Sequence, residues 1–201
     1  MKLLLIRHGE SEADLLDVHE GRADFPLTER GRRQARSMAA AVAERETVTK
    51  IYASTLTRAK ETATFLSAST GVAVIFDEDL MEFNNGLLAG LSRKEAEEKY
   101  PMIPDLPVDQ AVYGMESMLA FRQRAERALN RIMTENSGND TVAVVTHGGM
   151  INQLYHALLD LPVDSDFFFR TGDTGVHAWL LTENGKHLVY ANDCSHLRNN
   201  G

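Results

Sequence analysis

The sequence is poor in cysteine and has no long apolar run. Cys194 is its only cysteine, so an internal disulfide and a zinc site built from several cysteines are both ruled out. No apolar stretch reaches the roughly 18 residues that a membrane-spanning helix needs. The amino terminus meets Arg7 and His8 before the apolar core of a signal peptide could be complete. We therefore expect a cytoplasmic protein.

Positive charge is also scarce. The chain carries 21 lysines and arginines against 29 aspartates and glutamates, a formal net charge of −8. No basic stripe is visible, which argues against a nucleic acid or an anionic membrane surface as a partner. An anionic small molecule would have to be held by a few local cations. The content of 43% hydrophobic and 25% charged residues is that of a globular protein. We expect one domain over residues 1–201, as a monomer or a homodimer.

Short apolar runs alternate with segments of helical spacing. The predicted strands cover residues 2–6, 50–53, 72–76, 141–145, 176–181 and 188–191. Helices are predicted from the cap at Thr28 to about residue 46, over 56–67, from Ser92 to Pro101, over 116–135 and over 150–159. This alternation predicts an α/β fold, a three-layer sandwich with a mostly parallel central sheet flanked by helices on both faces. The Asn184-Gly185 turn predicts a hairpin, so one edge is expected to be antiparallel.

A histidine followed by glycine ends two of the predicted strands, in the runs RHG at 7–9 and THGG at 146–149. Open α/β sheets bind ligands at the carboxyl ends of their strands. A helix after His147 could direct backbone N–H groups, such as that of Gly148, at an anion. One such histidine alone is more simply read as a polar residue that ends a strand. The repetition at His8 and His147 favours a binding site.

Two arginines lie where they could serve such a site. Arg7 adjoins His8, and Arg58 opens the helix that follows the second strand. A guanidinium group matches phosphate oxygens in pairs, so two arginines with two histidines would form a phosphate cradle. Arg58 alone would be read as a solvated helix residue, and its place near a strand end is what favours the cradle. The histidines lack HExxH or similar ligand spacing, which weakens a metallohydrolase interpretation.

Glu82 is the candidate proton donor. It follows the third predicted strand in an irregular segment rich in asparagine and glycine, 80–90. Burial at the ligand-binding edge would keep a carboxyl group protonated near neutrality, as a general acid requires. The plainer alternative is an exposed loop carboxylate, the common fate of one glutamate among 29 acidic residues.

These motifs together resemble the histidine phosphatase superfamily, in its phosphoglycerate-mutase-like branch. The resemblance covers nearly the whole chain and rests on an ordered set of segments: 3–11 with IRHGES, 24–35 with DFPLTERGRRQA, the helix start at Arg58, the Glu82 loop, Glu116-Ser117 with Arg124, THGG at 146–149 and NDCSHL at 192–197. It implies a metal-independent reaction without a cofactor. His8 resembles the nucleophile that becomes phosphorylated, with His147 as a second histidine on the phosphate.

The resemblance gives the other residues their roles and also marks departures. Arg7 and Arg58 look like the phosphate-binding pair, and Glu82 looks like the general acid. Asp14 stands where family members usually carry an asparagine that donates to the phosphate. A carboxylate there would repel phosphate unless it is protonated, turned away or bonded to a substrate hydroxyl. Glu20 stands where glutamine is common, and Asp173 where asparagine is common, so the substrate is more in doubt than the reaction.

Three functions follow. The first is a phosphatase that hydrolyses small-molecule phosphate monoesters through a phosphohistidine on His8. The second is a phosphoglycerate mutase, disfavoured because Phe83 and two asparagines follow Glu82 where mutases carry Arg-His-Tyr. The third is a regulatory phosphate-binding module with weak turnover. The segment 100–114, with three of the five prolines, is predicted to be a loop or lid that decides specificity. Met102 and Ile103 could line such a lid, and a plain core-facing loop fits equally well.

Overall fold

The fold was analysed in a computed structural model that describes residues 1–198, so the predicted domain's last three residues lie outside the described range. The strands are β1 (Lys2–Arg7), β2 (Lys50–Ser54), β3 (Val74–Asp77), β4 (Thr141–Thr146), β5 (Val176–Thr182) and β6 (Gly185–Asp193). The α-helices are α1 (Glu12–Leu16), α2 (Glu29–Arg45), α3 (Thr57–Thr70), α4 (Arg93–Lys99), α5 (Met118–Glu135) and α6 (Gly148–Leu158). Short 3₁₀ turns follow β3, the Glu82 loop and β6.

All six strands form one sheet, in the order β3-β2-β4-β1-β5-β6. The first four of these are parallel, β5 runs antiparallel to β1, and β6 pairs antiparallel with β5. The predicted hairpin at the end of the chain and the antiparallel edge are therefore confirmed. Because β4 lies between β2 and β1, the ends of three parallel strands meet at the middle of the sheet.

Each central strand is buried on both faces, which explains its nearly continuous apolar sequence. Successive side chains point to opposite faces, so Leu3 and Leu5 of β1 pack in a cluster with α5 and α6. Leu4 and Ile6 pack in a second cluster with α2 and α3. The sheet thus carries a helical layer on either face, and the predicted three-layer α/β sandwich is confirmed.

The predicted boundaries shift by a few residues. β3 begins two residues later than predicted, and β6 starts directly at Gly185. Ser117 caps α5 by accepting a hydrogen bond from the backbone N–H of Ala120 at 3.1 Å, so that helix starts later than predicted. α6 starts earlier, because both glycines after His147 are helical.

One helix was not predicted. α1 is a single turn with Ser11 at its N-cap and Asp14 at the third position, a reciprocal capping box. The spacing SEAD carries that signal, although five residues are too few to show helical periodicity. No helix within residues 1–198 is long and apolar enough to span a membrane.

Candidate active site

The two predicted histidines meet at the carboxyl ends of β1 and β4. These strands pair in register, with Arg7 opposite Thr146, and the His8 backbone N–H donates to the Thr146 carbonyl at 3.0 Å. The residues that follow, His8 and His147, therefore lie side by side, with ring centroids 5.1 Å apart. Both side chains are buried. Their closeness follows from strand pairing, which brings together residues 139 positions apart in sequence.

Arg58 enters the same place from the first turn of α3. Its side chain is completely buried, and Nε donates to Nε2 of His8 at 3.3 Å. The two Nη atoms donate to the carbonyls of Ala23 (3.1 Å) and Gly21 (2.7 Å). A buried guanidinium fixed by three contacts is costly to desolvate and is pre-oriented toward an anion. The alternative of a solvated helix arginine is excluded by this burial.

The tautomer and charge of His8 suit a nucleophile. Nδ1 lies 2.7 Å from the carbonyl oxygen of Gly9, which can only accept, so Nδ1 carries the proton. Nε2 is then left with its lone pair, next to Arg58. Burial, followed by the positive charges of Arg58 and Arg7, lowers the pKa of His8 well below its usual value. The ring is therefore neutral, with a free electron pair, near neutral pH.

His147 and Arg7 complete the inner wall. Nε2 of His147 lies 2.8 Å from the hydroxyl of Ser54 at the end of β2. Burial and the charge of Arg58 lower the pKa of His147 well below its usual value. Arg7 donates from Nη1 to the carbonyl of Thr171 at 2.9 Å and lies 3.5 Å from Asp173. Within residues 1–198, Nδ1 of His147 and Nε of Arg7 are buried without a hydrogen-bond partner, as polar atoms at a ligand site often are.

The Glu82 loop is fastened by Arg124 of α5. Its guanidinium donates to the backbone carbonyls of Met81 at 2.6 Å and Glu82 at 3.1 Å. The same group pairs with Glu116 at 2.7 Å, and Glu116 in turn accepts the N–H of Asn84 at 2.7 Å. The irregular loop predicted from asparagines and glycines is thus held by one buried arginine. Arg124 is part of the family resemblance in the sequence, but its role becomes visible only in these contacts.

Glu82 reaches the site through the start of α6. Its Oε2 accepts the backbone N–H of Gly149 at 2.8 Å, and Oε1 accepts the N–H of Phe83 at 2.8 Å. The carboxyl is only partly buried, less than the sequence analysis anticipated. A Cβ on Gly149 would lie 2.4 Å from Oε1 of Glu82, whereas a Cβ on Gly148 would meet nothing closer than Arg7 Nε at 4.0 Å. Gly149 must therefore be glycine for Glu82 to occupy this position.

Asp14 is not joined to the cluster directly. Its side chain is exposed, and Oδ2 accepts the backbone N–H of Ser11 at 2.9 Å, which caps α1. Among the described residues, no hydrogen bond or ion pair connects Asp14 with Arg7, His8 or Arg58. Its assignment as a phosphate ligand stays a prediction.

Glu20 is the acidic residue that does enter the site. Its Oε2 lies 3.2 Å from Nε of Arg58 and 3.8 Å from Nε2 of His8. The sequence marked Glu20 only as a departure from the family pattern, and its position in a segment without regular structure carried no signal of this contact. Burial raises the pKa of Glu20, although the charge of Arg58 acts in the opposite direction.

The site is therefore a strand-end cluster of two neutral histidines, two arginines and the Glu20 carboxyl group, with Glu82 held at the start of α6. Within residues 1–198 no group of three or more His, Cys, Asp or Glu side chains is arranged to hold a metal ion. A nucleophilic imidazole between guanidinium groups is suited to binding and attacking a phosphoryl group.

Comparison with known proteins agrees with this geometry. Residues 3–194 match the histidine phosphatase superfamily (branch 1), and the chain belongs to this family. It is 30% identical to phosphoglycerate mutase-like protein 4 of Arabidopsis thaliana, over 100% of this chain and 88% of that protein. It is 28% identical to phosphoserine phosphatase 1 of Hydrogenobacter thermophilus, over 98% and 94% of the two chains.

A solved structure extends the similarity to three dimensions. Mycobacterial glucosyl-3-phosphoglycerate phosphatase, determined in complex with VO3, superposes with a TM-score of 0.82 at 25% identity, over 95% of this chain and 98% of that one. The predicted class, an enzyme that hydrolyses phosphate monoesters, is confirmed by the family and by its phosphatase members.

Proposed function

We propose that the protein hydrolyses small phosphate monoesters in two steps, through a phosphohistidine on Nε2 of His8. The observation that carries this proposal is the hydrogen bond between Nδ1 of His8 and the carbonyl of Gly9, which leaves Nε2 unprotonated and facing Arg58. Attack by Nε2 on phosphorus forms the P–N bond and breaks the ester P–O bond. Water then breaks the P–N bond, and inorganic phosphate leaves. Splitting one displacement into two in this way is the gain of nucleophilic catalysis.

The transferring phosphoryl group is held by positive charge from the protein. Arg7 and Arg58 supply guanidinium groups, and both act on His8 with positive charge. They would stabilise the equatorial oxygens of the transition state. His147, whose lowered pKa makes it neutral in the empty site, would donate a hydrogen bond to a phosphate oxygen. With these groups in place the reaction needs neither a metal ion nor a cofactor.

Glu82 supplies and later removes a proton. A bound phosphate dianion favours the protonated form of a neighbouring carboxyl group, and the protonated group can pass its proton to the leaving alkoxide. The carboxylate that results can then deprotonate the water that attacks the phosphohistidine. The hydrogen bond from Gly149 fixes one oxygen of Glu82 and leaves the group's orientation defined.

The mutase alternative has less support. Phe83, which follows the acid, packs against the core and contacts the tilted ring of Phe121, with the ring centroids 5.4 Å apart. It thus supplies no cation for a second anionic group of the substrate. A regulatory module would need a nucleophile that cannot attack, whereas Nε2 of His8 is unprotonated and contacts Arg58. A cytoplasmic location and the choice between monomer and homodimer stay predictions of the sequence.

Rapid quench tests the mechanism. Wild-type protein mixed with ³²P-labelled substrate is expected to give an acid-labile, base-stable protein phosphate during turnover. His8→Ala should lose this label and essentially all hydrolysis, whereas His187→Ala, an exposed histidine on β6, should keep both. Normal turnover by His8→Ala would refute the mechanism, and transfer of label to a second site of the substrate would identify a mutase.

A further inference from the structure

The carboxyl group of Glu20 lies where a bound phosphate would compete with it. One N–H of each Nη of Arg58 is donated to a backbone carbonyl, and the Nε N–H is directed at Nε2 of His8. Oε2 of Glu20 lies 3.2 Å from that Nε. An ionised Glu20 is thus an anion of the protein itself that pairs with Arg58. Its Oε2 lies 3.8 Å from Nε2 of His8, the proposed attacking atom. It would repel a second anion that bound in the same place.

Ser11 shows how this conflict can be resolved. Its Oγ lies 3.2 Å from Oδ2 of Asp14 and also makes a short hydrogen bond with Oε1 of Glu20. A serine hydroxyl has one proton to donate, so both contacts are hydrogen bonds only when one carboxyl is protonated. Asp14 is exposed and already accepts the N–H of Ser11, whereas the Glu20 side chain is only 18% exposed. The proton therefore belongs on Glu20.

We propose that Glu20 controls phosphate binding through its protonation state. As a carboxylate it occupies Arg58 and opposes the substrate. As a carboxylic acid it releases Arg58 and no longer repels the bound anion, while its proton stays in the hydrogen bond with Ser11. Binding of a dianion then takes up one proton from solvent onto Glu20. This inference rests on the phosphate site of the proposed function and adds a preference for acidic conditions that a glutamine at this position would not give.

Several charged groups act on Glu20 besides its own proton. Burial, together with the charge of Asp14, raises the pKa of Glu20 on balance, although Arg58, a hydrogen bond received from Ser11 and Arg7 each favour the ionised form. His8 faces it as a neutral ring in the empty site. Anion binding should raise the pKa further, because the ligand's charge adds to that of Asp14. By linkage, affinity is highest at low pH and falls as pH rises through the pKa of Glu20 in the empty site.

The test uses sulfate, a tetrahedral dianion whose own charge does not change between about pH 5 and pH 8.5. Isothermal titration calorimetry would compare wild type, Glu20→Gln and Glu12→Gln, the last a matched control on the exposed face of α1. Wild type and Glu12→Gln should lose affinity by about tenfold per pH unit above the pKa of Glu20, as uptake of one proton requires. Glu20→Gln should bind more tightly than wild type at pH 8 and equally well at pH 5.

Two further measurements keep the inference falsifiable if Glu20→Gln folds poorly. The binding enthalpy of wild type at pH 8, measured in buffers of different ionisation enthalpy, should report uptake of close to one proton. Asp14→Asn should move the loss of affinity to lower pH, because it removes a neighbouring negative charge.

The outcomes separate the two proposals. Sulfate binding by wild type with no proton uptake, or the same pH dependence in Glu20→Gln as in wild type, would overturn the inference and leave the phosphate site intact. No sulfate binding by any variant at any pH would overturn the phosphate site, and the inference with it.

Discussion

The proposed phosphate end of the site, formed by His8, Arg58 and His147, is buried, whereas the segment 100–114 is mostly exposed. Arg58 and His147 are completely buried at the ends of paired strands. In the segment, Met102 is 91% exposed and Ile103 is 43% exposed. These residues line a cleft of about 570 Å³ with other apolar side chains, including Leu106 and Val112. The comparison teaches that the proposed reacting groups are fixed by the sheet, whereas the surface that could select a leaving group lies on a loop.

The cleft and the phosphate end are linked by residues that are neighbours in the chain. His19 lines the cleft and directly precedes Glu20, which reaches Arg58. Its backbone is tied to the loop after Glu82, where the His19 carbonyl accepts the N–H of Gly90 at 2.8 Å. A hydrogen bond from the Tyr113 hydroxyl to the Pro101 carbonyl, 3.0 Å, holds the segment's two ends together. We therefore expect substitutions at the phosphate end to act on every substrate, and those in the segment to act selectively.

Arg58→Ala should give the largest effect. It removes a charge-assisted contact from a desolvated site and is expected to reduce kcat/KM by at least about a hundredfold, on the order of 3 kcal/mol. Arg33→Ala on the exposed face of α2 is the control. Steady-state kinetics on alkyl and aryl phosphates should show similar losses on both. A change below about threefold would contradict the assignment, and thermal unfolding of the variant checks that the fold survives.

The two glycines that begin α6 offer a matched pair with an intermediate effect. Gly149→Ala places a methyl group 2.4 Å from Oε1 of Glu82, so it should displace the proton donor. Gly148→Ala has room and keeps the same backbone N–H. We expect Gly149→Ala to lower kcat/KM on alkyl phosphates by about tenfold or more.

The leaving group provides the internal check for this pair. p-Nitrophenyl phosphate needs little protonation, so Gly149→Ala should affect it far less than an alkyl phosphate, with Glu82→Gln as the reference for the same pattern. Gly148→Ala should stay within about threefold of wild type on both substrates. Equal losses on the two substrates would indicate that Gly149 and Glu82 only shape the pocket.

Met102→Ser should give the smallest effect. It removes an exposed apolar side chain from the cleft, so kcat/KM should change by about threefold or less, and only for esters with a bulky apolar leaving group. Inhibition by inorganic phosphate should not change, because that ligand would not reach the cleft. Met133→Ser, also exposed but on α5, is the control. An equal loss on all phosphate esters would remove the distinction between the two regions.

Much of the site was predictable because its signal is local. β1 and β4 are continuous apolar strands, and each ends in a histidine followed by glycine. Strands of a parallel sheet bring such ends to one edge, so the sequence pointed to His8 and His147 before any contact was known. The helix start at Arg58 and the loop at Glu82 follow by the same rule. These residues also carry the family resemblance.

Other contacts were hidden because they depend on where irregular segments lie. Arg124 clamps the Glu82 loop from α5 at a separation of 42 residues, and nothing in an amphipathic helix distinguishes it from a surface arginine. Asp14 and Glu20 looked alike as acidic departures from the family pattern. The structure places them differently. Asp14 lies on α1 and caps the N-terminus of that helix, whereas Glu20 lies in the segment that follows and contacts Arg58.

The sequence by itself determined the α/β class, the nearly continuous burial of the central strands and which residue types stand at the ends of β1 and β4. These follow from side-chain periodicity and from residue types at strand ends, which short-range physics controls. The tertiary structure alone decided which nitrogen of His8 carries the proton, which glycine after His147 must stay a glycine, and which carboxyl group contacts Arg58. Such choices depend on separations of a few ångströms between distant segments, and those separations are set only when the two helical layers pack on the sheet.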